Sequence, residues 1–419
     1  MPKQTIDKID VRGQRVLMRV DFNVPLDESS PPKITDDRRI QQALPSIKSV
    51  IERGGRLILI SHLGRPEGKG YEPADSLKPA ADRLRELLND PAMSSSPQAR
   101  SGPIQVGFPG EDCIGPVASI IVETLRDGEI IVLENLRFHK AEKKGDEHFA
   151  AKLAAYGDIY CNDAFGTAHR NDASMYAVPK IMKASGKKCV AGLLMQKELK
   201  FLAEAIAHAQ KPFVAVLGGA KVSDKLGAIR NLMGKVDTII IGGAMAYTFL
   251  RAMGQRTGSS LVQEDMLGEA KAILDAAKSG NTEIMLPTDH VCAQKIAGDA
   301  PTKVCGDSIE DGWMGLDIGP KTAAAYAAKL AAAKTIVWNG PMGVFETPPF
   351  DAGTRAAAQA MAKATKAGAV SIVGGGDSAA AVEEFGLADA FTHVSTGGGA
   401  SLEMLEGKKF DSVGLLDEA

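Results

Sequence analysis

The chain has 419 residues, 44% hydrophobic and 24% charged, with a formal net charge of −3. Such a composition fits a soluble globular protein of two domains or one large one, and it argues against a disordered chain or a basic nucleic-acid binder. The five cysteines (Cys113, Cys161, Cys189, Cys292, Cys305) are scattered without a C-x-x-C pair, so they read as reduced cytosolic thiols with neither a disulfide frame nor a zinc site.

The opening "MPKQTIDKIDVRG" alternates charges and reads as no signal peptide. No apolar run approaches the roughly 20 residues of a membrane span. From there one pattern recurs: a short β-branched run, a polar or glycine-rich turn, then an amphipathic stretch. "RVLMRV" leads to "DFNVP", where Asp21 and Asn23 sit at a strand end and can bind hydroxyls. "DDRRI" brings Arg38 and Arg39. "RLILI" leads to "SHLGRP", with His62 and Arg65, and "PAMSSSPQARSGP" (91–103) reads as an exposed loop. "EIIVL" leads to "ENLRFH", with Arg137, and "DIYC" to "NDAFGTAHR", with His169 and Arg170. Strands alternating with helices predict parallel sheets covered on both faces, with ligands at the carboxyl ends of the strands.

Fourteen of the 18 arginines precede residue 190. Taken singly each reads as surface or ion-pair arginine. Four arginine-bearing turns at one sheet edge suit a small, highly charged anion, which guanidinium recognises in bidentate fashion. Next, "AGLLMQKELKFLAEAIAHAQ" (191–210) has helical spacing and stops before Pro212, predicting a helix that joins two α/β domains.

In the second half the turns change character. "PFVAVL" leads to "GGAKVSDK", "TIII" to "GGAMAYTF", "EIML" to "PTDH", "KTIVW" to "NGPMGVFE", "AVSIV" to "GGGDS" and "THVS" to "TGGGAS". Glycine clusters before helices suit nucleotide phosphates, since the helix start offers free N–H groups; a tight turn without ligand is the alternative for any one of them. No G-x-x-x-x-G-K-[ST] occurs. Lys221 and Lys225, four apart, are expected to share a helix face with an anion between them, or one points to solvent. Gly374, Gly376 and Ala379 match G-x-G-x-x-A, yet no acid for a ribose lies about 20 residues on. Asp377 in the mouth of that turn either holds Mg²⁺ against phosphates or caps the next helix.

Ten motifs in order, "RVDFNVP", "SHLGRP", "LENLRFH", "NDAFGTAHR", "LGGAKVSDK", "GGAMAYTF", "GLDIGP", "WNGPMGVFE", "GGGDS" and "HVSTGGGAS", resemble the phosphoglycerate kinase family from end to end, in its shorter, prokaryotic-type form. The resemblance implies two similar three-layer α/β/α (Rossmann-like) domains with parallel sheets, facing across a cleft and joined by a helix. Their spans would be 1–190 for phosphoglycerate, 191–210 for the connecting helix, 211–404 for the nucleotide and 405–419 for a tail packing back on the first domain. It implies Mg-dependent transfer of phosphate between 1,3-bisphosphoglycerate and ADP, in a cytoplasmic monomer that closes on its ligands. Asp21, Asn23, Arg39 (rather than Arg38), His62, Arg65, Arg137 and Arg170 would then meet phosphoglycerate. Lys221 and Lys225 would meet nucleotide phosphates, with Asn339, Gly375, Gly376, Asp377 and Ser378 beside them. Gly243, Gly315 and Leu316 would line an adenine slot, Glu346 would bind ribose, Asp377 would hold Mg²⁺, and Gly398 and Gly399 would offer N–H groups to the moving phosphoryl. Arg39, Lys221, Gly398 and Gly399 would be the catalytic set.

One position departs. The family reads A-H-R-A-H where this chain has Ala168-His169-Arg170-Asn171-Asp172, so an acid replaces the second histidine beside the basic patch. Two other readings compete. A nicotinamide dehydrogenase would need the missing ribose acid, and a non-catalytic bilobal binding protein would predict a secretion signal and no paired lysines.

Overall fold

The computed structural model describes residues 2–29, 31–93 and 102–419, leaving aside the side chains of 93 and 203–207. Most of the 91–103 loop expected from the sequence lies outside the described residues. Two compact units emerge: Met1–Glu198 together with Lys409–Ala419, and Leu199–Lys408.

The first unit is built on a six-stranded parallel sheet of β1 (Arg15–Val20), β2 (Arg56–Ile60), β3 (Val106–Gly107), β4 (Ile130–Val132), β5 (Ile159–Asp163) and β6 (Lys188–Ala191), in the order β3-β4-β2-β1-β5-β6. After Arg15, β1 is buried throughout, which explains why "RVLMRV" is a continuous run and not an alternating one: both sheet faces are covered. On one face the helix Arg38–Ile51 sets Ile40, Leu44, Ile47 and Ile51 into the core at helical spacing. The helices Glu147–Ala154 and Val178–Ala184 contribute buried Phe149, Leu153 and Met182. Arg19 stands inside the apolar strand, fully buried.

The first unit runs on to Glu198, inside the helix Leu193–Ala207, and not only to 190. Hydrogen bonds hold the first turn of that helix there. Leu194 N and Met195 N donate to Asp163 Oδ1 at the end of β5 (2.9 and 3.1 Å), and Leu193 N donates to Ser46 Oγ (2.7 Å). The chain rejoins this unit at Lys409. Ser412 Oγ donates to Ala168 O (2.5 Å), and Cys189 N donates to Asp417 Oδ2 (3.0 Å).

The second unit has β7 (Phe213–Leu217), β8 (Thr238–Ile241), β9 (Glu283–Met285), β13 (Thr335–Asn339), β14 (Val370–Gly374) and β15 (His393–Val394) in a parallel sheet ordered β15-β14-β13-β7-β8-β9. A core around Trp338, Tyr326 and Met361 covers it. The sequence reading had only parallel sheets here. The structure adds a three-stranded antiparallel sheet, β11-β10-β12, from β10 (His290–Ala293), β11 (Lys303–Cys305) and β12 (Met314–Ile318). Strands of three to five residues without alternating burial carry almost no periodic signal.

Candidate functional site

In the first unit the polar residues gather where β1, β2, β4 and β5 end. Ser61 Oγ accepts from Phe22 N (2.9 Å) and so ties the ends of β1 and β2 together. Asn135 starts the short turn Leu136–Phe138: its Oδ1 accepts from Arg137 N (3.0 Å) and its Nδ2 donates to Leu63 O (2.7 Å). Gly64 then becomes the shared node. Its N–H donates to Asn23 Oδ1 (2.9 Å) and its carbonyl accepts from Arg137 Nη1 (2.8 Å). Arg39 Nη1 donates to Asp21 Oδ2 (2.7 Å), whereas Arg38 turns away to pair with Asp36. The adjacent arginines are thus separated by their partners. Arg65 is exposed beside Gly64, and half-buried Arg170 donates from Nε to His169 Nε2 (3.4 Å).

His62 is 2% exposed, and its Nδ1 lies 3.1 Å from Arg19 Nη2. A guanidinium only donates, so Nδ1 accepts and the ring proton sits on Nε2. Burial first, then Arg19, Arg137, Arg170 and Arg39, hold the His62 pKa well below the usual histidine range. The ring is therefore neutral, a hydrogen-bond donor to an anion rather than a cation. Burial and then Arg170 also push the Arg137 pKa down, while Asp172 opposes them. Several like charges held together in a half-dry place are stabilised by an arriving anion.

Arg19 was missed by sequence reasoning. Its Nε donates to Ser174 Oγ (2.9 Å) and its Nη1 to Val20 O, so it supports His62 from below. The available signal was a charge in the middle of a buried strand.

In the second unit, a cavity of about 310 Å³ opens where β7, β13 and β14 end. Gly218, Gly219, Lys221 and Lys225 line it from one loop, Asn339 and Gly340 from the next, Gly375, Gly376, Asp377 and Ser378 from a third, and Gly398 and Gly399 from a fourth. Glycine at two of these positions is required by contact. A Cβ on Gly218 would lie 2.0 Å from Pro341 O, and one on Gly340, whose φ is 99°, would lie 2.2 Å from Gly218 O. The loops pack backbone on backbone.

One sequence expectation changes here, and one alternative reading falls away. Lys221 and Lys225 do not share a helix face: the helix is Leu226–Leu232, with Lys225 as its N-cap residue and Lys221 in the preceding loop. Burial of Val222 and the Lys225 N to Val222 O bond (2.9 Å) form a turn before the helix can start. Lys225 Nζ donates to Asn339 Oδ1, and burial pushes its pKa down; Lys221 stays exposed. Nor does Asp377 cap its helix. Gly375 is the N-cap residue of Gly376–Glu384, and exposed Asp377 lies within the first turn. Ser378 is buried and accepts from Gly340 N (2.6 Å), while Asn339 Nδ2 is buried without a partner. Asp224, not singled out from the sequence, also lines the cavity.

Gly243, Gly315, Leu316 and Glu346 do not line that cavity. Gly243 N donates to Met342 O (2.9 Å), Gly315 lies against the Tyr247 hydroxyl, and Leu316 O accepts from Val344 N (2.9 Å) in the loop that carries exposed Glu346. The thiols are all free and buried. Although no C-x-x-C pair exists, Asp112, Cys113 and His139 bring possible ligand atoms within 4.8 Å of one another; His139 Nε2 is bonded to Asp112 Oδ1 (2.9 Å), and burial pushes the Cys113 thiol pKa up. Among the described residues, no helix is long and apolar enough to cross a membrane.

The profile of the phosphoglycerate kinase family matches residues 6–408. The sequence is 56% identical over 422 residues to the phosphoglycerate kinase of Rhodopirellula baltica and 51% identical over 420 residues to that of Chloroherpeton thalassium, each match covering 100% of both chains. The structure is similar to that of phosphoglycerate kinase from Coxiella burnetii, with a TM-score of 0.83 at 39% identity, covering 99% of this chain and 98% of the other. It is similar also to phosphoglycerate kinase from Pyrococcus horikoshii, with a TM-score of 0.81 at 29% identity and the same coverage.

Proposed function

The chain belongs to the phosphoglycerate kinase family, and from that premise we propose how its two units divide the reaction. The enzyme is a glycolytic phosphotransferase with a carboxyl group as acceptor, moving a phosphoryl group reversibly from 1,3-bisphosphoglycerate to ADP to give 3-phosphoglycerate and ATP. In our reading the first unit holds the phosphoglycerate through Arg39, Arg65, Arg137, Arg170 and the neutral His62, with Asp21 and Asn23 at its hydroxyl. The second unit holds the nucleotide: phosphates at Lys221, Lys225, Asn339 and the Gly375–Ser378 turn, adenine along Gly243, Gly315 and Leu316, ribose at Glu346.

The observation that carries this reading is the second-unit cavity, where two lysines and two exposed carboxylates, Asp224 and Asp377, converge on glycine backbone. That donor set fits Mg²⁺, which binds one or two carboxylates together with substrate phosphates. Asp377 would hold it, and the ion would supply positive charge between the carboxylate and the phosphates.

A phosphate oxygen of ADP attacks and a carboxylate leaves, so no proton has to move and no general base is required. What remains is positioning and charge stabilisation. Lys221 and Arg39 supply mobile positive charge, and the N–H groups of Gly398 and Gly399 supply fixed dipoles. The reacting atoms must come within about 3–3.5 Å, so transfer requires the two ligand-bearing units to move together, which also keeps water from the acyl phosphate. We further propose a cytoplasmic monomer. A coupled assay of ATP and 3-phosphoglycerate, with and without Mg²⁺, tests the reading: turnover that does not depend on Mg²⁺ would remove Asp377 from its role.

A further inference from the structure

Asp172 precedes the short helical turn Ala173–Ala177, at the place where an aspartate ordinarily caps free backbone N–H groups. Its side chain makes no such bond. The turn is served instead by Glu142, fully buried, whose carboxylate accepts from Ser174 N (3.0 Å) and Ser174 Oγ (2.5 Å). That leaves the Asp172 carboxylate uncommitted. It is 7% exposed, its Oδ2 is buried without a hydrogen-bond partner, and it faces Arg137 Nη2 at 4.0 Å. Arg137 Nε is likewise buried and unpartnered. Carboxylate and guanidinium thus attract one another across a gap too wide for a hydrogen bond, each with a polar atom unspent.

The charges around them explain what such a gap does. Arg170 and Arg19 act on Arg137 as like charges, and Asp172 and Glu142 offset them. Glu142 is engaged by Ser174, so of these two carboxylates Asp172 is the one with an unpartnered oxygen facing Arg137. An anion that binds Arg137 meets that same carboxylate as a repelling neighbour.

We propose that Asp172 is an affinity-setting counter-charge for the phosphoglycerate site: it offsets Arg137 in the free enzyme and repels the bound substrate, so that 3-phosphoglycerate binds more loosely and leaves faster than the arginines alone would allow. This rests on the assignment of Arg137 and Arg170 to phosphoglycerate. The consequence for turnover is direct, because ground-state affinity that is not increased in the transition state only slows release.

The test is calorimetric titration of 3-phosphoglycerate into the full-length enzyme and its Asp172→Asn variant. Removing the charge while keeping the shape should tighten binding by roughly three- to tenfold and lower the KM for 3-phosphoglycerate in parallel, leaving the KM for the nucleotide unchanged. Asp172→Glu, which keeps the charge, should restore wild-type affinity. A folded D172N that binds no tighter than wild type overturns the proposal. If D172N does not fold, Asp172→Ser takes its place with the same expected gain; if both uncharged variants fail to fold while D172E folds, the charge is structural and the proposal falls. Arg137→Ala separates the two levels. If it leaves 3-phosphoglycerate binding intact, the site assignment itself is wrong; if it weakens binding while D172N changes nothing, only the counter-charge role is lost.

Discussion

The two units use the same parallel-sheet architecture and place their chemistry at the same ends of the strands, yet they build it from different material. In the first unit the proposed recognition falls to side chains, and each is held by a neighbour: Arg39 by Asp21, Arg137 by Gly64 O, His62 by Arg19. In the second unit the proposed site is built largely from backbone, with glycine turns so close that a Cβ on Gly218 would stand 2.0 Å from Pro341 O. Side-chain sites suit an anion whose shape must be read, while backbone sites suit phosphates shared by every nucleotide. The lesson is that a damaged side-chain site loses single charges, whereas a damaged backbone site loses its geometry.

The largest expected effect falls on the two residues proposed to carry charge to the moving group, one per unit. Lys221→Ala and Arg39→Ala should each lower kcat roughly a hundredfold or more while changing KM little, since charge spreads over the phosphoryl only in the transition state. Steady-state kinetics decide it: a variant that raises KM with kcat intact is a docking residue, and the symmetry between the units breaks.

Gly218→Ala sharpens the contrast next. The new methyl would meet the carbonyl oxygens of Pro341 and Gly340 as well as Met342 Cε, and the backbone oxygens cannot swing aside, so the second unit should lose roughly 1–3 kcal/mol of stability, together with nucleotide affinity. Denaturant unfolding with unchanged midpoint would show that the loops can separate at little cost.

Asp377→Asn should leave the fold intact and raise the Mg²⁺ concentration for half-maximal rate about tenfold, the order expected for losing one ligand among several. Melting temperature and a Mg²⁺ titration read the two halves of that statement; an unaltered titration refutes it.

The smallest effect concerns pH. Burial pushes the Asp317 carboxyl of the second unit up to about 7, although Gly353 N (2.6 Å) and Ile318 N (2.9 Å) donate to it. In the first unit, burial raises Asp163 to about 6 against hydrogen bonds from Ser46, Met195 and Leu194. A carboxyl whose folded pKa is raised binds its proton more tightly folded than unfolded. The stability it contributes is present below about 4 and is lost as pH rises to about 7. Asp317→Asn should therefore flatten the fall in melting temperature between about pH 4 and 7, and a slope identical to wild type would mean that Asp317 is ionised throughout.

Much of this was legible from residues. "RVLMRV" and "KTIVW" mark buried strands because parallel sheets covered on both faces need continuous apolar runs. The glycine clusters and arginine-bearing turns mark strand ends because little else explains them there. What escaped was set by distant partners. Arg19 reads as a stray charge until Ser174 and His62 fold onto it. Lys221 and Lys225 keep helical spacing, yet buried Val222 draws the chain into a turn first. The antiparallel strands β10–β12 are too short to show a period. The return of the tail was expected from the family resemblance alone; the Ser412 Oγ bond to Ala168 O that accompanies it is a contact no local pattern announces.

Hydrogen exchange on the intact chain, with 3-phosphoglycerate alone and with Mg-ADP alone, tests most directly the claim that each unit holds one ligand. The account predicts that 3-phosphoglycerate slows exchange around 21–23, 62–65, 137 and 169–170, and that Mg-ADP slows it around 218–225, 339–340, 375–378 and 398–399. Either ligand alone protecting both sets, or both ligands protecting the same set, would contradict it.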